Sequence, residues 1–213
     1  MPESKELMQV APEQALDMST IQTSNLLLNT KALAMINRLA DRYANSGMVP
    51  DTYKGKPDNC FTALELASRM DVSPVLVMQN LYIVQGKPSW AGQACKALID
   101  GSGKFADSEY VLVGNPADDT WGCYLQAVNV KTGKLVKGST VTMKLAKDEG
   151  WLNKNGSKWK TMPEQMMKYR AAAFFARTEC PEVLMGFQTA DEVQDVNGVE
   201  KTASEKITIS LED

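Results

Sequence analysis

The hydrophobic pattern of this 213-residue chain changes period in its middle. Residues 105–113, 121–130 and 134–142 alternate apolar and polar side chains, or are rich in β-branched and aromatic residues. The turn sequences GNPADD (114–119) and KTGK (131–134) separate them. Short segments of this kind joined by tight turns are typical of antiparallel strands. We therefore predict a three-stranded antiparallel β-meander over this part of the chain.

Apolar residues at helical spacing precede the predicted meander. Three of the helices expected there begin at a hydroxyl side chain placed to cap them, namely Ser24, Thr62 and Ser89. Thr62 forms a capping box with Glu65, and a fourth helix begins at Pro74. The expected ranges are helices at 25–44, 62–70, 74–80 and 90–99 and a strand at 81–85.

Two main helices are predicted after the meander. Thr142 can cap a short one. A capping box of Thr161 and Glu164, with Pro163 in the first turn, opens the longest helix, MPEQMMKYRAAAFFAR, and Pro181 ends it. We expect this long basic helix to cover the sheet, which gives an α+β fold.

Length and composition predict one domain with short appendages. A polar arm is expected at 1–23, the domain at 24–193 and an acidic, disordered tail at 194–213. No apolar run approaches the roughly 18–20 residues that a membrane span needs. The first residues, MPESKELMQV, lack the order of a signal peptide. We therefore expect a cytoplasmic protein without membrane contact.

Composition excludes several classes of catalytic site. The chain has no histidine, so Ser–His, Cys–His and His-ligated metal sites are excluded. Its four cysteines lie 28 or more residues apart, which favours buried thiols over a zinc site or disulfides. GSGKF (101–105) lacks the first glycine of a phosphate loop. We interpret Asp118 and Asp119 as turn residues. The alternative is that they bind a metal ion in a nuclease. We predict no enzyme activity, no cofactor and no metal.

Positive charge is concentrated in one segment of an acidic chain. The net charge is −3, yet residues 131–177 hold eleven basic side chains and three acidic ones, a net charge of +8. Residues 181–213 carry a net charge of −6. A local basic segment suggests contact with a polyanion, and a solvated surface fits it equally well.

Two arginines of the predicted long helix are candidates for phosphate contact. Arg170 and Arg177 are seven residues apart, so they share a helix face at a separation of about 10.5 Å along the axis. Ala173 lies between them and leaves room for a close approach. Each guanidinium could hold one phosphate of a nucleic acid strand. The alternative is that both pair with carboxylates of a neighbouring element.

Further candidates lie just before this helix. Trp159 stands between Lys158 and Lys160, a pattern that single-strand binders use for stacking and backbone charge. The alternative for Trp159 is a packing anchor. Lys144 and Lys147 lie one turn apart on the preceding helix and would extend a basic track, with a solvated face as the alternative.

The order of these segments resembles a known family. From Phe61 to Val193 the chain carries, in this order, FTALELASRMDVSPVLVMQNLYIVQG, KPSWAGQACKALIDGSGKF, the meander, KWKTMPEQMMKYRAAAFFAR and DEV. This arrangement is similar to the RecT family of phage single-strand annealing proteins, including its lambda Bet branch. The stretch KWKTMPEQMMKYRAAAFFAR, with its tryptophan, proline, methionines and spaced basic residues, is the most specific part of the resemblance.

The resemblance implies a fold, a function and a set of binding residues. RecT-like proteins share a Rad52-like core, bind single-stranded DNA and annealed duplex, form rings or helical filaments, and anneal strands without ATP. It therefore implies a homo-oligomeric recombinase in the cytoplasm of a bacterial host. By position, the matching DNA-binding residues are Lys168, Arg170, Arg177 and Trp159.

Two departures and two rival functions accompany the resemblance. The lambda branch has a basic residue where this chain has Glu164. Longer relatives recruit a phage exonuclease or a host single-strand binding protein through a C-terminal module, whereas about twenty residues follow Val193 here. The rivals are a phage structural or assembly protein, whose basic segment makes subunit contacts, and a nuclease that uses Asp118 and Asp119.

Overall fold

The computed structural model describes residues 29–84 and 86–195, which fold into helices and two small sheets. Two 3-10 helices, Trp151–Asn153 and Pro181–Leu184, flank the longest α-helix, and residues 190–195 form a further helical segment. The main elements are α1 (Thr30–Ala44), α2 (Pro57–Met70), α3 (Pro74–Asn80), β1 (Leu81–Val84), β2 (Lys87–Trp90), α4 (Gly92–Gly101), β3 (Phe105–Val113), β4 (Gly122–Asn129), β5 (Leu135–Lys137), β6 (Val141–Thr142), α5 (Met143–Asp148), α6 (Pro163–Glu179) and β7 (Gln188–Thr189).

The predicted antiparallel meander is present, with a broken third strand. β4 pairs antiparallel with β3 on one side and with both β5 and β6 on the other. Alternate residues of β4, Cys123, Leu125 and Ala127, are fully buried, as the period of a strand with one covered face requires. The break at Gly138 lies against α6, where a Cβ would come within 3.1 Å of Phe175.

A second sheet joins distant parts of the chain. β2 pairs antiparallel with β1 and parallel with β7, so the order is β1-β2-β7. The predicted strand at 81–85 is therefore confirmed as β1 over its described residues. The prediction that Ser89 caps a helix is wrong, because Ser89 is buried inside β2 and α4 begins at Gly92.

Proline, rather than the predicted hydroxyl caps, marks the start of two helices. α2 begins at Pro57, five residues before Thr62, whose hydroxyl donates to the Asp58 carbonyl inside the helix. α6 begins at Pro163 without a side-chain cap, so the capping box predicted at Thr161 is also wrong. Proline suits the first turn of a helix because the backbone N–H that it lacks would have no carbonyl partner within the helix at that position. The predicted cap at Thr142 is confirmed by a bond from the Leu145 N–H at 3.1 Å.

Helix α6 lies at the centre of the fold. It packs against β4 on one side and α4 on another, which confirms that it covers the sheet. Small side chains allow the close approach: a Cβ on Gly92 of α4 would lie 3.2 Å from the Tyr169 Cβ. The alanines of α6 that are buried in this contact region are Ala171, Ala172, Ala173 and Ala176.

The cysteines and the chain ends complete the fold. All four cysteines are buried free thiols, as predicted. The predicted arm at 1–23, the Ser24 cap and residues 196–213 of the predicted tail lie outside the described residues, and α1 is capped by Asn29. Across residues 29–84 and 86–195, no helix is long and apolar enough to cross a bilayer.

Candidate nucleic-acid interface

Arg170 lies inside the protein, in a network of opposite charges. Its side chain is 6% exposed, and its Nη2 lies 2.6 Å from Oδ2 of Asp195. Its Nη1 lies 3.7 Å from Oε1 of Glu192, and its guanidinium carbon lies 4.2 Å from the centroid of the Trp151 ring. Burial lowers the pKa of Arg170, whereas Glu192 and Asp191 raise it. Three side chains of the same chain thus hold the guanidinium.

Arg177 shares one of these carboxylates. Its guanidinium donates to Oε2 of Glu192, although its side chain is 43% exposed. The same carboxylate oxygen accepts from the N–H of Thr189 at 2.8 Å and from the Thr189 hydroxyl at 2.9 Å. By accepting from the Thr189 N–H, Glu192 supplies one half of a capping box at the start of the 190–195 helix. We call Arg170, Arg177, Glu192 and Asp195 the arginine cluster.

The arginine cluster matches the alternative raised for these residues from the sequence. Both arginines pair with carboxylates of a neighbouring element, and Ala173 between them is buried rather than open to a ligand. Asp195 lies past the predicted domain boundary at 193, yet it supplies the shortest of the Arg170 contacts. Packing of the domain therefore extends to the last described residue.

Trp159 is a packing anchor, which is the second of its two predicted roles. It is 4% exposed, and its ring centroid lies 5.1 Å from that of Trp151. The residues on either side, Lys158 and Lys160, are exposed. Among the residues that the structure describes, neither ammonium pairs with a carboxylate. The buried tryptophan fixes the loop that carries these two free cations.

These lysines line an open cleft of about 600 Å³, which we call the lysine cleft. Lys154 also lines it and forms an ion pair with Asp195 of the arginine cluster. Burial, and then the nearby Arg170, lower the pKa of Lys154. No carboxylate belongs to the lining, taken over the described chain. The full lining is Asn153, Lys154, Asn155, Gly156, Ser157, Lys158, Lys160 and Thr161.

The other predicted lysines have partners on their own surface. Lys144 pairs with Asp148 at 2.7 Å and Lys168 with Glu164 at 2.5 Å, each one helical turn away. Glu164 therefore neutralises a neighbouring lysine. The first pair is largely solvated and the second is partly so, and surface pairs of this kind contribute little to stability.

The aspartates considered as metal ligands have structural partners. Asp119 pairs with Lys147 across the surface. Asp118 accepts from the Thr120 N–H at 2.8 Å, and hydrogen bonds from Thr120 hold its pKa below its usual range. Within the described ranges, no three metal-ligating side chains come together.

The sequence did not point to a second cleft, which lies beside the first. It has a volume of about 440 Å³, and we call it the Trp121 cleft. Thr161 lines both clefts, so they adjoin. The signal available in the sequence was a tryptophan directly after the GNPADD turn and Thr120. The lining is Tyr110, Trp121, Thr161, Met162, Pro163, Glu164, Gln165, Lys168 and Tyr169.

No protein-family profile, curated protein or solved structure matches this chain. The RecT resemblance therefore stays a prediction.

Proposed function

We propose that this protein binds single-stranded DNA by its phosphates and, as an oligomer, anneals complementary strands without ATP. The observation that carries the proposal is the lysine cleft. Lys158 and Lys160 are exposed, lack carboxylate partners in the described structure and are held by the buried Trp159. An open surface with unpaired cations favours a polyanion.

The lysine cleft suits a nucleic acid backbone better than a single small anion. Its lysines are spread along a loop of nine residues, and Lys147 and Lys160 line a further cleft beyond it. A chain of phosphates can contact such a track at several points. Binding through phosphates carries no sequence information and leaves base edges open to a second strand.

The arginine cluster has a different part in the proposal. Because Arg170 is buried and paired, it holds the wall of the lysine cleft through Asp195 and Lys154. Arg177 reaches the surface, so a phosphate can share its guanidinium with Glu192. Lys144, Lys147 and Lys168 extend the track when their local carboxylates give way to phosphate.

Oligomerisation follows from the small number of contacts. On single strands each neutralised phosphate contributes about −0.7 to the slope of log K against log salt. Three or four contacts per protomer therefore bind weakly, and linked protomers gain affinity through effective concentration. The antiparallel sheet covered by α6 supports a Rad52-like core as the fold behind this assembly. No covalent step is needed, so we propose a non-enzymatic recombinase.

Strand annealing tests the proposal directly. A labelled oligonucleotide is bound, its complement is added without nucleotide triphosphate, and pairing is followed by fluorescence. We expect faster pairing than without protein, and no effect on a non-complementary strand. The double variant Lys158→Ala, Lys160→Ala should lose most of this acceleration.

A matched control removes two exposed lysines from the far end of the meander, Lys131→Ala with Lys134→Ala. This variant should anneal like the wild type. Equal loss in both double variants would mean that total charge, not the lysine cleft, drives binding. Oligomers that form but ignore DNA at low salt would contradict the proposal and favour the phage assembly protein.

A further inference from the structure

Trp121 differs from the other tryptophans of the chain. All four lie in the described ranges, and Trp90, Trp151 and Trp159 are at most 5% exposed. Trp121 is partly exposed and lines clefts on both of its sides. A large aromatic ring left open to solvent in a cleft has hydrophobic area available for a ligand.

The backbone holds Trp121 in place. Its carbonyl accepts from the Met143 N–H at 2.8 Å, which joins the start of β4 to the start of α5. Pro163, at the first turn of α6, lines the cleft on either side of the ring. The Trp121 side chain also packs against the core cluster that contains Trp151 and Trp159, so the ring belongs to a preformed surface and loses little freedom when a ligand covers it.

The rest of the Trp121 cleft combines flat apolar walls with a polar rim. Tyr110 and Tyr169 contribute two more aromatic rings. The Gln165 amide donates to the Tyr169 hydroxyl at 2.5 Å, and Glu164 and Lys168 lie at the rim. Flat aromatic walls with amide, carboxylate and ammonium groups at the edge match a heterocyclic base, which stacks by its faces and hydrogen-bonds by its edge.

The charged side chains next to the Trp121 cleft favour the same kind of ligand. The Trp121 cleft meets the lysine cleft at Thr161. Lys160 lines the cleft on the other side of Trp121, together with Asp118 and with the ion pair of Lys147 and Asp119. A ligand with a flat apolar part and an attached anionic chain would fill both clefts at once. A nucleotide within a strand has this composition.

We propose that the Trp121 cleft holds a nucleobase of the bound single strand, stacked against Trp121, while the adjoining phosphates contact Lys160 and the lysine cleft. The inference rests on the proposed function and names the part of the DNA that this surface recognises. Bases of a duplex are already stacked, and turning one out costs free energy. The cleft therefore favours single strands over duplex.

The test compares oligo(dT) with an abasic oligonucleotide of the same length, which keeps the phosphates and lacks the bases. We expect the wild-type protein to bind oligo(dT) about tenfold more tightly than the abasic strand, because stacking of a base on an aromatic side chain adds favourable binding free energy. Acrylamide quenching of Trp121 fluorescence should fall on adding oligo(dT) and stay unchanged with the abasic strand. Both measurements use the unmodified protein, so they do not depend on a variant folding.

Variants then assign the effect to the cleft. In Trp121→Ala, affinity for the abasic strand should stay the same and the preference for oligo(dT) should fall close to one. Trp121→Phe keeps an aromatic face and should retain most of the preference. Lys131→Ala, outside both clefts, should leave the preference unchanged.

Each contrary outcome has a distinct meaning. Equal affinity of the wild type for both strands overturns the nucleobase site and leaves phosphate binding intact. A full preference retained by folded Trp121→Ala also overturns it. Failure to bind either strand at low salt contradicts the proposed function and removes the nucleobase site with it.

Discussion

The arginine cluster and the lysine cleft lie side by side and use their positive charges in opposite ways. Arg170 is 6% exposed and bound to two carboxylates, whereas Lys158 and Lys160 are exposed and form no ion pair with a carboxylate of the described residues. Lys154 joins the two through Asp195. Position in a basic segment therefore does not decide whether a cation meets a ligand. Burial and the nearest carboxylate decide it.

The two regions also differ in what a substitution costs. Removing one partner of a buried ion pair leaves an uncompensated charge away from water. Removing an exposed lysine leaves its surroundings hydrated, so it changes binding far more than folding. The comparison can thus be tested by separating stability from DNA affinity, residue by residue.

The largest expected effect belongs to Arg170→Ala. Glu192 and Asp195 would lose their shared guanidinium, and breaking a buried pair costs about 3–5 kcal/mol of the free energy of unfolding. Urea unfolding followed by circular dichroism measures it. A variant with native stability and lost DNA affinity would show that Arg170 contacts phosphate, as the family resemblance implies, and would reverse the comparison.

The stability at alkaline pH tests whether the protein interior around the buried cysteines excludes water. Burial, reinforced by Glu192 and opposed by Arg177, raises the pKa of the Cys95 thiol to about 12. Burial likewise raises the pKa values of Cys123 and Cys180 to about 11. Because the native thiols hold their protons above the pKa of an unfolded thiol, near 8.5, the native state is favoured below that pH and loses stability above it.

The expected slope is about 1.4 kcal/mol per pH unit for each protected thiol. Urea midpoints measured from pH 7 to pH 10.5 should stay level to about pH 8.5 and then fall. Cys95→Ala should make the fall shallower. Thiols that react quickly with Ellman's reagent in the native protein at pH 8 would show that this interior admits solvent.

Removing Lys158 and Lys160 together should alter binding and spare folding. The slope of log K against log salt should become less negative by about 1.4, since each lost phosphate contact removes about 0.7. Affinity should fall by the same factor for unrelated sequences. Fluorescence anisotropy across a salt series gives the slope. An unchanged slope would place the phosphates elsewhere on the surface.

Lys144→Ala should have the smallest effect. Lys144 and its partner Asp148 are 70% and 59% exposed, so the urea midpoint should not move measurably. The salt slope should change less than for Lys160→Ala, because the Lys144 ammonium is already paired with Asp148. A change as large as that of Lys160→Ala would place Lys144 within the main track.

Local patterns predicted much of the fold. The alternation that buries Cys123, Leu125 and Ala127 was readable from the chain, and so was the proline at the first turn of α6. The third meander segment was predicted as one strand and is two, because Gly138 between them is held against Phe175. Ser89 was misassigned since nothing local shows that β7 pairs beside it.

The candidate site was predicted less completely. The pairing of the arginines was foreseen as an alternative, yet its partners, Glu192 and Asp195, come from a helix 22 or more residues from Arg170 along the chain. No sequence pattern predicts a cleft at Trp121 and its two tyrosines, because their exposure depends on how β3, β4 and α6 meet. No local rule relates residues so far apart.

By itself, the sequence determined the class of fold, the concentration of positive charge in 131–177 and the absence of histidine chemistry. Those properties depend on residue type and spacing alone. Only the tertiary structure decided which cations are free, because pairing depends on which carboxylate is brought within a few ångströms. Packing buried Trp159, left Trp121 partly open and gave Arg170 its carboxylates.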